Sequence, residues 1–518
     1  MKISFTLNEK NLTVDVELYE TLLHLLRRKG MISVRYGSDT GETGASAVLI
    51  NGKLINTDCM LAAQIDGHEV ITLEWFNKAE LHPIQAAFVA TGAMQSGYST
   101  PAMILGTWAL LNKNPNPSED DVRDMLSGIL DRETAYIKPV EAVLRAAALM
   151  RGEENEPFGP IYLPPLTDGI NPAEIDPTDE EMTASPAVPR VVPSKDVPEM
   201  AVVGKPEVKV DAVRLVKGNP AFTDDFEERG QLIAKVLRSP HAHARIVDID
   251  DSEANALPGV HAVLHYKNTP RIKYASGGQS WPNPHPYDQV SFDDKVRHVG
   301  DRVAAVAAET AEIAKEALSL IKVEYEVLPH VLDEIETLQP EAPVIHDEDD
   351  TEEIYDAERN IVLRIEAERG DVDKAAEGAD HVFEDTFKVH QVQQVPIEPH
   401  ISVAWLDSDE RLVVRTATQV PFHVRRMLAP LINREIKDVR VIKPRIGGGF
   451  GAKQEMLIED IVAHLAIATR RPVKLELDRS EEFIGSRSRH PQTLTFTTGV
   501  TNEGKLVSQK LRLVGNTG

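Results

Sequence analysis

The sequence predicts an α+β protein built from several domains, and three observations support this fold class. Apolar and polar residues alternate, as is typical of strands, near both ends of the chain. Helical spacing of apolar residues dominates residues 79–150. A proline-rich segment separates this part from a region of ordinary mixed composition, and 518 residues are enough for more than one core.

Residues 1–77 are predicted to form a small β-rich domain with one helix. Apolar side chains alternate from Ile3 to Leu7, and residues 20–29 have helical spacing. Asn51 and Gly52 separate two short apolar runs, and this dipeptide is a strong signal for a hairpin turn.

Residues 78–156 are predicted to form a domain of four helices, followed by a linker. The helices are expected at 82–90, at 100–112, directly after Ser118 and at 139–151. Ser118 precedes three acidic residues, which suits a helix cap and the positive end of the helix dipole. Residues 157–206 contain eleven of the 33 prolines, a composition that favours an extended linker.

The rest of the chain is predicted to form α/β domains at 207–340 and 341–518. Residues 310–323 place their apolar side chains on one helical face, and Asn502 to Gly504 are expected to connect the last two strands. His241 and His243 could bind a metal together. Because no third ligand is evident, a loop or a solvated face is the preferred interpretation.

A strand, a glycine-rich turn and a helix are predicted for residues 437–472. The strand has alternating apolar residues, and helical spacing begins at Lys453. Such a turn brings backbone N–H groups close to an anionic ligand, and a helix N-terminus adds a positive dipole end. The glycines of this turn are Gly447, Gly448, Gly449 and Gly451.

Two other interpretations of this turn remain open. Gly447-x-Gly449-x-x-Ala452 fits a loose dinucleotide-binding fingerprint, with Glu476 and Asp478 as candidate ribose ligands. A tight turn between a buried strand and a helix, without any ligand, is the other.

Composition excludes several classes of protein. The net charge of −26 would repel nucleic acid, and no apolar run approaches the length of a membrane span. The N-terminal segment alternates like a strand and has no apolar signal core, so a cytoplasmic location is expected. Cys59 is the only cysteine, which excludes internal disulfides and every multi-cysteine metal site.

Four motifs around the glycine-rich turn resemble the molybdenum-binding subunit of the xanthine dehydrogenase and aldehyde oxidase family. They are TQVPF (418–422), IGGGFGAK (446–453), LDRSEEF (477–483) and SRHP (488–491). The resemblance implies a molybdenum–pyranopterin cofactor, either molybdopterin or its cytosine dinucleotide form. It implies that Gln419 lies beside an oxygen ligand of the metal, and that the cofactor also contacts Gly448, Gly449, Phe450 and Gly451.

The candidate catalytic residues from this resemblance are Gln419, Phe450 and Gln454. In purine-oxidising members a glutamate follows the lysine of the motif, whereas this chain has Gln454. This difference argues against xanthine as the substrate.

Residues 1–77 resemble the β-grasp [2Fe–2S] ferredoxin domain of the same family, and residues 78–156 resemble its helical second [2Fe–2S] domain. The eight cluster-ligand positions carry no cysteine here, and thiolates are what hold such clusters, so no [2Fe–2S] cluster is predicted. A Mg²⁺ or Ca²⁺ site is an alternative, but domains that kept only their packing and docking roles are preferred. The positions are Ser38, Thr43, Ser46, Asp58, Ser96, Ser99, Asp131 and Glu133.

The expected function is that of one subunit of a molybdopterin-dependent hydroxylase. The family attacks an N-heterocycle or an aldehyde with hydroxide derived from water, and no segment here matches the motif of its catalytic glutamate. We therefore expect a second chain that carries the C-terminal half of the molybdenum subunit, although a truncated product would look the same. FAD and iron–sulfur subunits are further candidate partners, to which electrons would leave. A net non-redox hydration or hydroxyl transfer and a non-catalytic scaffold are the alternatives.

Overall fold

The structure, a computed structural model, describes residues 1–153, 207–277, 280, 282, 284–350 and 353–517. The linker predicted at 157–206 lies outside the described residues. Among the helices of the described ranges, none is long and apolar enough to cross a membrane.

The N-terminal part forms a five-stranded mixed sheet that packs on one helix, which is a β-grasp arrangement. The strand order is β2-β1-β5-β3-β4, with β1 parallel to β5. Asn51 and Gly52 have φ values of 48° and 78°, so the predicted hairpin turn is confirmed. The elements are β1 (Lys2–Leu7), β2 (Lys10–Asp15), α1 (Leu22–Arg28), β3 (Val48–Ile50), β4 (Lys53–Ile55) and β5 (Glu69–Ile71).

Four helices follow, as predicted. The Ser118 hydroxyl accepts a hydrogen bond from the N–H of Asp121 at 3.2 Å, which confirms the predicted cap. The apolar faces of these helices share one core with Leu49 and Leu73 of the first part. The helices are α2 (Pro83–Thr91), α3 (Thr100–Lys113), α4 (Glu119–Ser127) and α5 (Ile137–Arg151).

A seven-stranded sheet organises the rest of the chain. Its order is β16-β15-β14-β17-β6-β10-β8, so it joins strands from both sides of the domain boundary predicted at 340. The strands are β6 (Leu232–Arg238), β8 (Val260–His265), β10 (Arg302–Ala308), β14 (Ile401–Leu406), β15 (Leu412–Thr416), β16 (Val439–Ile442) and β17 (Val473–Glu476). The helices of this region are α6 (Ala212–Val216), α7 (Ser252–Ala256), α8 (Ala311–Leu320), α9 (Val372–Glu377), α10 (Pro421–Leu431), α11 (Glu459–Thr469) and α12 (Arg479–Gly485).

Three smaller sheets surround this one. β7 (Ala244–Asp250) pairs with β9 (Lys295–Val296) and β11 (Lys322–Val327), and β13 (Val392–Gln393) pairs with β18 (Ser488–Arg489). The third sheet has the order β12-β19-β20. Its strands are β12 (His381–Val389), β19 (Gln492–Val500) and β20 (Leu506–Gly515), and the last two form the hairpin predicted at Asn502 to Gly504.

The helix predicted from Lys453 begins only at Glu459, so that prediction is wrong in its start. The Glu459 carboxylate accepts the N–H groups of Leu457 and Ile458 at 2.9 and 3.1 Å. These bonds hold the preceding turn in a non-helical conformation, and the helix dipole therefore does not begin at the glycines.

The two N-terminal parts dock tightly on the large sheet through buried arginines. The Arg479 guanidinium donates to the carbonyl oxygen of Gly37 at 2.6 and 3.0 Å. Arg35 pairs with Asp225 and lies 4.7 Å from the ring centroid of Phe222. Because charged groups need their partners when buried, these contacts fix the N-terminal parts against the sheet.

Candidate functional site

The glycine-rich loop after β16 is packed so closely that two of its positions accept only glycine. A Cβ atom on Gly447 would lie 2.5 Å from the Cβ of Glu398 and 2.6 Å from the ring of Tyr98. A Cβ atom on Gly449 would lie 2.5 Å from Oε1 of Gln419. The glycines therefore serve a close approach of backbone to neighbouring elements.

Gln419 holds this loop by its backbone and its side chain. Its N–H donates to the Lys453 carbonyl oxygen at 2.8 Å, and its Oε1 accepts the N–H of Gly451 at 3.2 Å. Gly448 and Gly451 have φ values of 95° and 100°, in the left-handed region. The structure thus brings together Gln419 and the loop glycines, as the sequence predicted.

Lys453 is buried beneath the loop and pairs with Glu398. Its Nζ donates to Oε2 of Glu398 at 2.9 Å and to the Glu398 carbonyl oxygen at 2.7 Å, and the two side chains are 0% and 2% exposed. Oε2 of Glu398 also accepts the N–H of Gly447 at 2.7 Å. Burial raises the pKa of Glu398, although the Lys453 ammonium opposes this. Lys453 therefore supports the loop and does not face a ligand.

His400 and Glu482 form a second buried pair under the loop. The His400 ring contacts both carboxylate oxygens of Glu482, at 2.9 and 3.0 Å, and its Nε2 lies 3.2 Å from the Ala452 carbonyl oxygen. Burial raises the pKa of Glu482, but the His400 imidazole and its hydrogen bonds outweigh this and lower it to about 2. Both ring nitrogens thus lie within hydrogen-bond distance of oxygen atoms.

The outer side of the loop lines an open cleft of about 1130 Å³ between the helical domain and the large sheet. Phe450, with φ of 53° and 46% exposure, and the exposed Gln454 lie on its wall. Gln394 also lines the cleft, and its buried Oε1 has no hydrogen-bond partner. A cleft of this size with polar side chains on its wall is a candidate ligand site.

The cleft also contacts the helical domain through Arg132. The Arg132 guanidinium carbon lies 5.3 Å from the ring centroid of Phe450. Its Nε donates to the Tyr136 hydroxyl at 2.8 Å. The loop of residues 129–135 thus forms one wall of the cleft, opposite the glycine-rich loop.

The four cluster-ligand positions of the first part make hydrogen bonds to other protein groups. Ser38 donates to Glu42 at 3.0 Å, and Ser46 accepts the N–H of Thr57 at 3.1 Å. Thr43 is buried, and its carbonyl oxygen accepts the N–H of Leu130 at 2.9 Å. The carboxylate of Asp58 accepts the N–H of Cys59 at 3.0 Å, and burial raises the pKa of Asp58.

The four positions of the helical domain are also bonded to protein groups. The Glu133 carboxylate accepts the N–H groups of Ser96 and Gly97, the latter at 3.2 Å. The Asp131 carboxylate accepts the Ser99 hydroxyl and the N–H of Glu133, the latter at 3.2 Å. Because no thiolate is present at any of the eight positions, the residues do not fit a [2Fe–2S] cluster.

Two other ligand hypotheses gain no support in the described part of the chain. His243 Nδ1 lies 2.7 Å from the Pro329 carbonyl oxygen, whereas His241 packs on the ring of Tyr325. No group of three or more metal-ligating side chains occurs among the described residues. Asp478 caps α12 by accepting the N–H of Glu481 at 2.8 Å. This role, and the late start of α11, argue against a dinucleotide site.

Sequence reasoning missed Gln394, Arg132 and both buried ion pairs. Gln394 lies in the segment HQVQQVPIEPH, where three glutamines occur within four residues, but nothing local shows which one faces a cleft. Arg132 stands between two residues that were recognised as former ligand positions. Its contact with Phe450 joins residues far apart in sequence, so no local pattern could indicate it.

Three family descriptions match the chain. A molybdopterin cofactor-binding domain matches residues 354–518, and the a/b hammerhead domain of aldehyde oxidase and xanthine dehydrogenase matches residues 217–329. A [2Fe-2S] binding domain matches residues 72–144, where the ligand positions nonetheless lack cysteine.

The chain is also similar to curated proteins and to a solved structure. It is 37% identical to a probable hypoxanthine oxidase of Escherichia coli O157:H7, over all of this chain and 54% of that protein. It is 36% identical to the nicotinate dehydrogenase large molybdopterin subunit of Eubacterium barkeri, over 61% of this chain and 71% of that subunit. The aldehyde oxidoreductase of Desulfovibrio gigas superposes with a TM-score of 0.83 at 25% identity, over 99% of this chain and 53% of that one. The chain thus spans about half the length of the first and third of these proteins.

Proposed function

The chain belongs to the xanthine dehydrogenase and aldehyde oxidase family, and from this premise we propose that it is a subunit of a molybdopterin-dependent hydroxylase. The observation that carries the proposal is the cleft beside the glycine-rich loop. Its wall includes the predicted contact residues Phe450, Gly451 and Gln454.

The residues of this cleft fit a molybdenum–pyranopterin cofactor. Phe450, Gly451 and Gln454 line the cleft directly, and Gly449 leaves room for Gln419 to lie against the loop. Gln419, Gly448, Gly449, Phe450 and Gly451 would hold the group, either as molybdopterin or as its cytosine dinucleotide form. When bound, the metal supplies Lewis acidity and activates water as a nucleophile at neutral pH. The side chains of this chain orient the cofactor and keep its loop rigid.

We assign electron removal to partner subunits. The eight former ligand positions have no thiolate and are engaged in hydrogen bonds with the protein or buried in its packing. A separate subunit with iron–sulfur clusters, and one with FAD, would receive the two electrons. The same observation favours one second candidate, a net non-redox hydration or hydroxyl transfer at the metal, in which no electron exit is needed.

A second polypeptide that carries the rest of the molybdenum unit is the proposed structural partner. One face of the β12-β19-β20 sheet is apolar, since Phe387, Leu494 and Leu513 align across its three strands. Phe387 is 56% exposed and Leu513 is 49% exposed. The opposite face carries Thr386, Lys510 and similar polar residues. Exposed apolar surface of this extent marks an interaction site.

This surface can be tested by one pair of substitutions on the same strand. Phe387→Glu should abolish association with the second polypeptide, because it places a charge in the apolar face. Thr386→Glu, on the polar face, should leave association unchanged. Equal binding of both variants in size-exclusion chromatography with the purified partner would contradict the assignment.

The proposed substrate is a small N-heterocycle or an aldehyde. The relatives are described as acting on hypoxanthine, nicotinate and aldehydes. Gln454 is exposed in the cleft and is the candidate residue for substrate contact. Its amide can donate and accept hydrogen bonds, as recognition of a ring nitrogen and its neighbouring oxygen requires. If Gln454→Glu leaves substrate preference unchanged, its assignment to substrate contact is wrong.

The decisive experiment is elemental analysis of the purified complex, together with mass measurement of all its chains. The same complex is assayed for turnover of hypoxanthine, nicotinate and an aldehyde, with an electron-accepting dye as the oxidant. Molybdenum together with iron on a second chain, and dye reduction by one of these substrates, would support the hydroxylase. Molybdenum without iron or dye reduction would favour the non-redox candidate. An intact complex without molybdenum would overturn both and leave a scaffold.

A further inference from the structure

The loop of residues 129–135 keeps its shape through two carboxylates at former cluster-ligand positions. Glu133 is 3% exposed, and its Oε1 accepts the backbone N–H groups of both Ser96 and Gly97. Converging backbone N–H groups form a binding site for an anion. The Glu133 carboxylate therefore occupies the place at which these two N–H groups would bind an anion.

Asp131 completes this network from the other end of the loop. Its carboxylate accepts the Ser99 hydroxyl and the N–H of Glu133. The Thr134 hydroxyl donates to the carbonyl oxygens of Ile129 and Asp131 at 2.8 and 2.7 Å. Hydrogen bonds thus tie the loop to the segment of residues 96–99.

The anchored loop contacts two other parts of the molecule. The N–H of Leu130 donates to the Thr43 carbonyl oxygen, at 2.9 Å, in the first domain. On the other side, the Arg132 guanidinium carbon lies 5.3 Å from the ring centroid of Phe450. No carboxylate of the described residues lies within salt-bridge distance of Arg132, so its charge remains available to the ring.

Phe450 is the least supported residue of the glycine-rich loop. It has a left-handed φ of 53°, which is unusual for a bulky residue. Gly448 and Gly451 flank it, also with positive φ, and almost half of its surface is exposed. Its ring lies at the surface of the loop, and Arg132 places a cation over its face.

We propose that the 129–135 loop has become a positioning element for the cofactor cleft. Arg132 is the positioning residue, acting through Phe450, and Asp131 and Glu133 are the anchors that hold it in place. The helical domain would thus act on the cofactor by packing, although it has no cluster to pass electrons. The inference rests on the proposed function for the identity of the cofactor, but not for the contact itself.

The test compares Arg132→Gln with Arg123→Gln in the whole complex. Arg123 also lines the cleft, but it pairs with Glu119 at 2.5 Å on the same helix and is the matched control. Arg132→Lys keeps the cation and should retain most of the wild-type behaviour. Hydrogen exchange of the backbone amides of residues 447–454 is measured first, because it needs no bound cofactor.

Arg132→Gln should speed exchange in residues 447–454, and it should speed release of the pterin, followed by fluorescence, about two- to five-fold. Glu133→Gln should loosen the amides of Ser96 and Gly97 and produce the same change at Phe450. The proposal is overturned if Arg132→Gln and Arg123→Gln give the same exchange rates. A wild-type complex without molybdenum would refute the proposed function, yet the exchange experiment would still decide whether Arg132 positions the loop.

Discussion

Replacing Lys453 by methionine should destabilise the chain by about 3–5 kcal/mol, because it leaves an uncompensated charge in the interior. The Lys453 and Glu398 side chains are 0% and 2% exposed. Without the ammonium, Oε2 of Glu398 keeps only the N–H of Gly447, and Oε1 has no partner already. Methionine has nearly the same length and flexibility as lysine, so the loss is electrostatic rather than a loss of packing.

The pH dependence of this loss identifies its origin. Burial already raises the pKa of Glu398 above 4.5, and removal of the ammonium raises it further. A carboxyl group whose pKa is raised in the folded state destabilises the folded state at pH values above that pKa. It has no effect on stability below its pKa in the unfolded state, because the group is then protonated in both states. The deficit of Lys453→Met should therefore be larger at neutral pH and should shrink as the pH falls toward 4.5.

Urea denaturation followed by tryptophan fluorescence measures the effect, at pH 7.5 and at pH 5. The control is the double variant Lys453→Met/Glu398→Gln, which removes both charges. It should be destabilised by less than the sum of the two single variants, with a coupling energy of about 2–3 kcal/mol. A Lys453→Met variant within 1 kcal/mol of wild type at neutral pH, or one whose deficit does not change with pH, would refute the reasoning.

Three further predictions concern titration and metal content. The pKa of Glu482 is lowered from 4.5 to about 2, which stabilises the folded state by about 3 kcal/mol. This stabilisation is complete above pH 4.5 and is lost as the pH falls through 2. Glu482→Gln should therefore flatten this part of an acid-unfolding curve. The pKa of Asp131 is raised to about 6 by burial and by Glu133, which destabilises the native state above pH 6. Asp131→Asn should thus stabilise by about 1–2 kcal/mol at pH 7.5 and not at pH 3.5, and an equal shift at both pH values in thermal unfolding would contradict this. Restoring cysteine at Ser96, Ser99, Asp131 and Glu133 together should allow reconstitution with about two irons per chain, measured by visible absorption, whereas the single variant Ser96→Cys should bind none.

Local sequence signals predicted the parts of the fold that depend on neighbouring residues. The turn at Asn51 and Gly52 forms because both residues adopt positive φ readily, and Ser118 caps its helix through a bond to a residue three positions away. The same reasoning failed for the start of α11. Helical spacing from Lys453 suggested an earlier start, but Lys453 pairs with Glu398, 55 residues away, and no local pattern contains that bond.

The candidate site was predictable only where a motif carried it. Gln419 and the loop glycines belong to recognisable motifs, and the structure brings them together. Gln394 lies outside the recognised motifs and Arg132 is not itself a motif position, so their positions at the cleft depend on how distant segments pack. Sequence motifs identify which segments of the chain meet. The orientation of an individual side chain where those segments meet depends on tertiary packing, which the motifs do not specify.

The packing also explains how the two N-terminal domains could lose their cluster ligands and keep their shape. A Cβ atom on Gly44 would lie 2.1 Å from the Gly128 carbonyl oxygen, so the former cluster loops of the two domains touch through bare backbone. Tyr98 fills the space beside Gly447, and its hydroxyl donates to the Tyr36 carbonyl oxygen at 2.7 Å. Because Tyr98 contacts Gly447, replacing it would disturb the glycine-rich loop as well as the helical domain. Side chains that point inward at a cluster make no such contacts with other parts of the protein, so they can be replaced without moving the loop. The condition is that the backbone N–H groups around them find new hydrogen-bond acceptors. Glu133 is such an acceptor here.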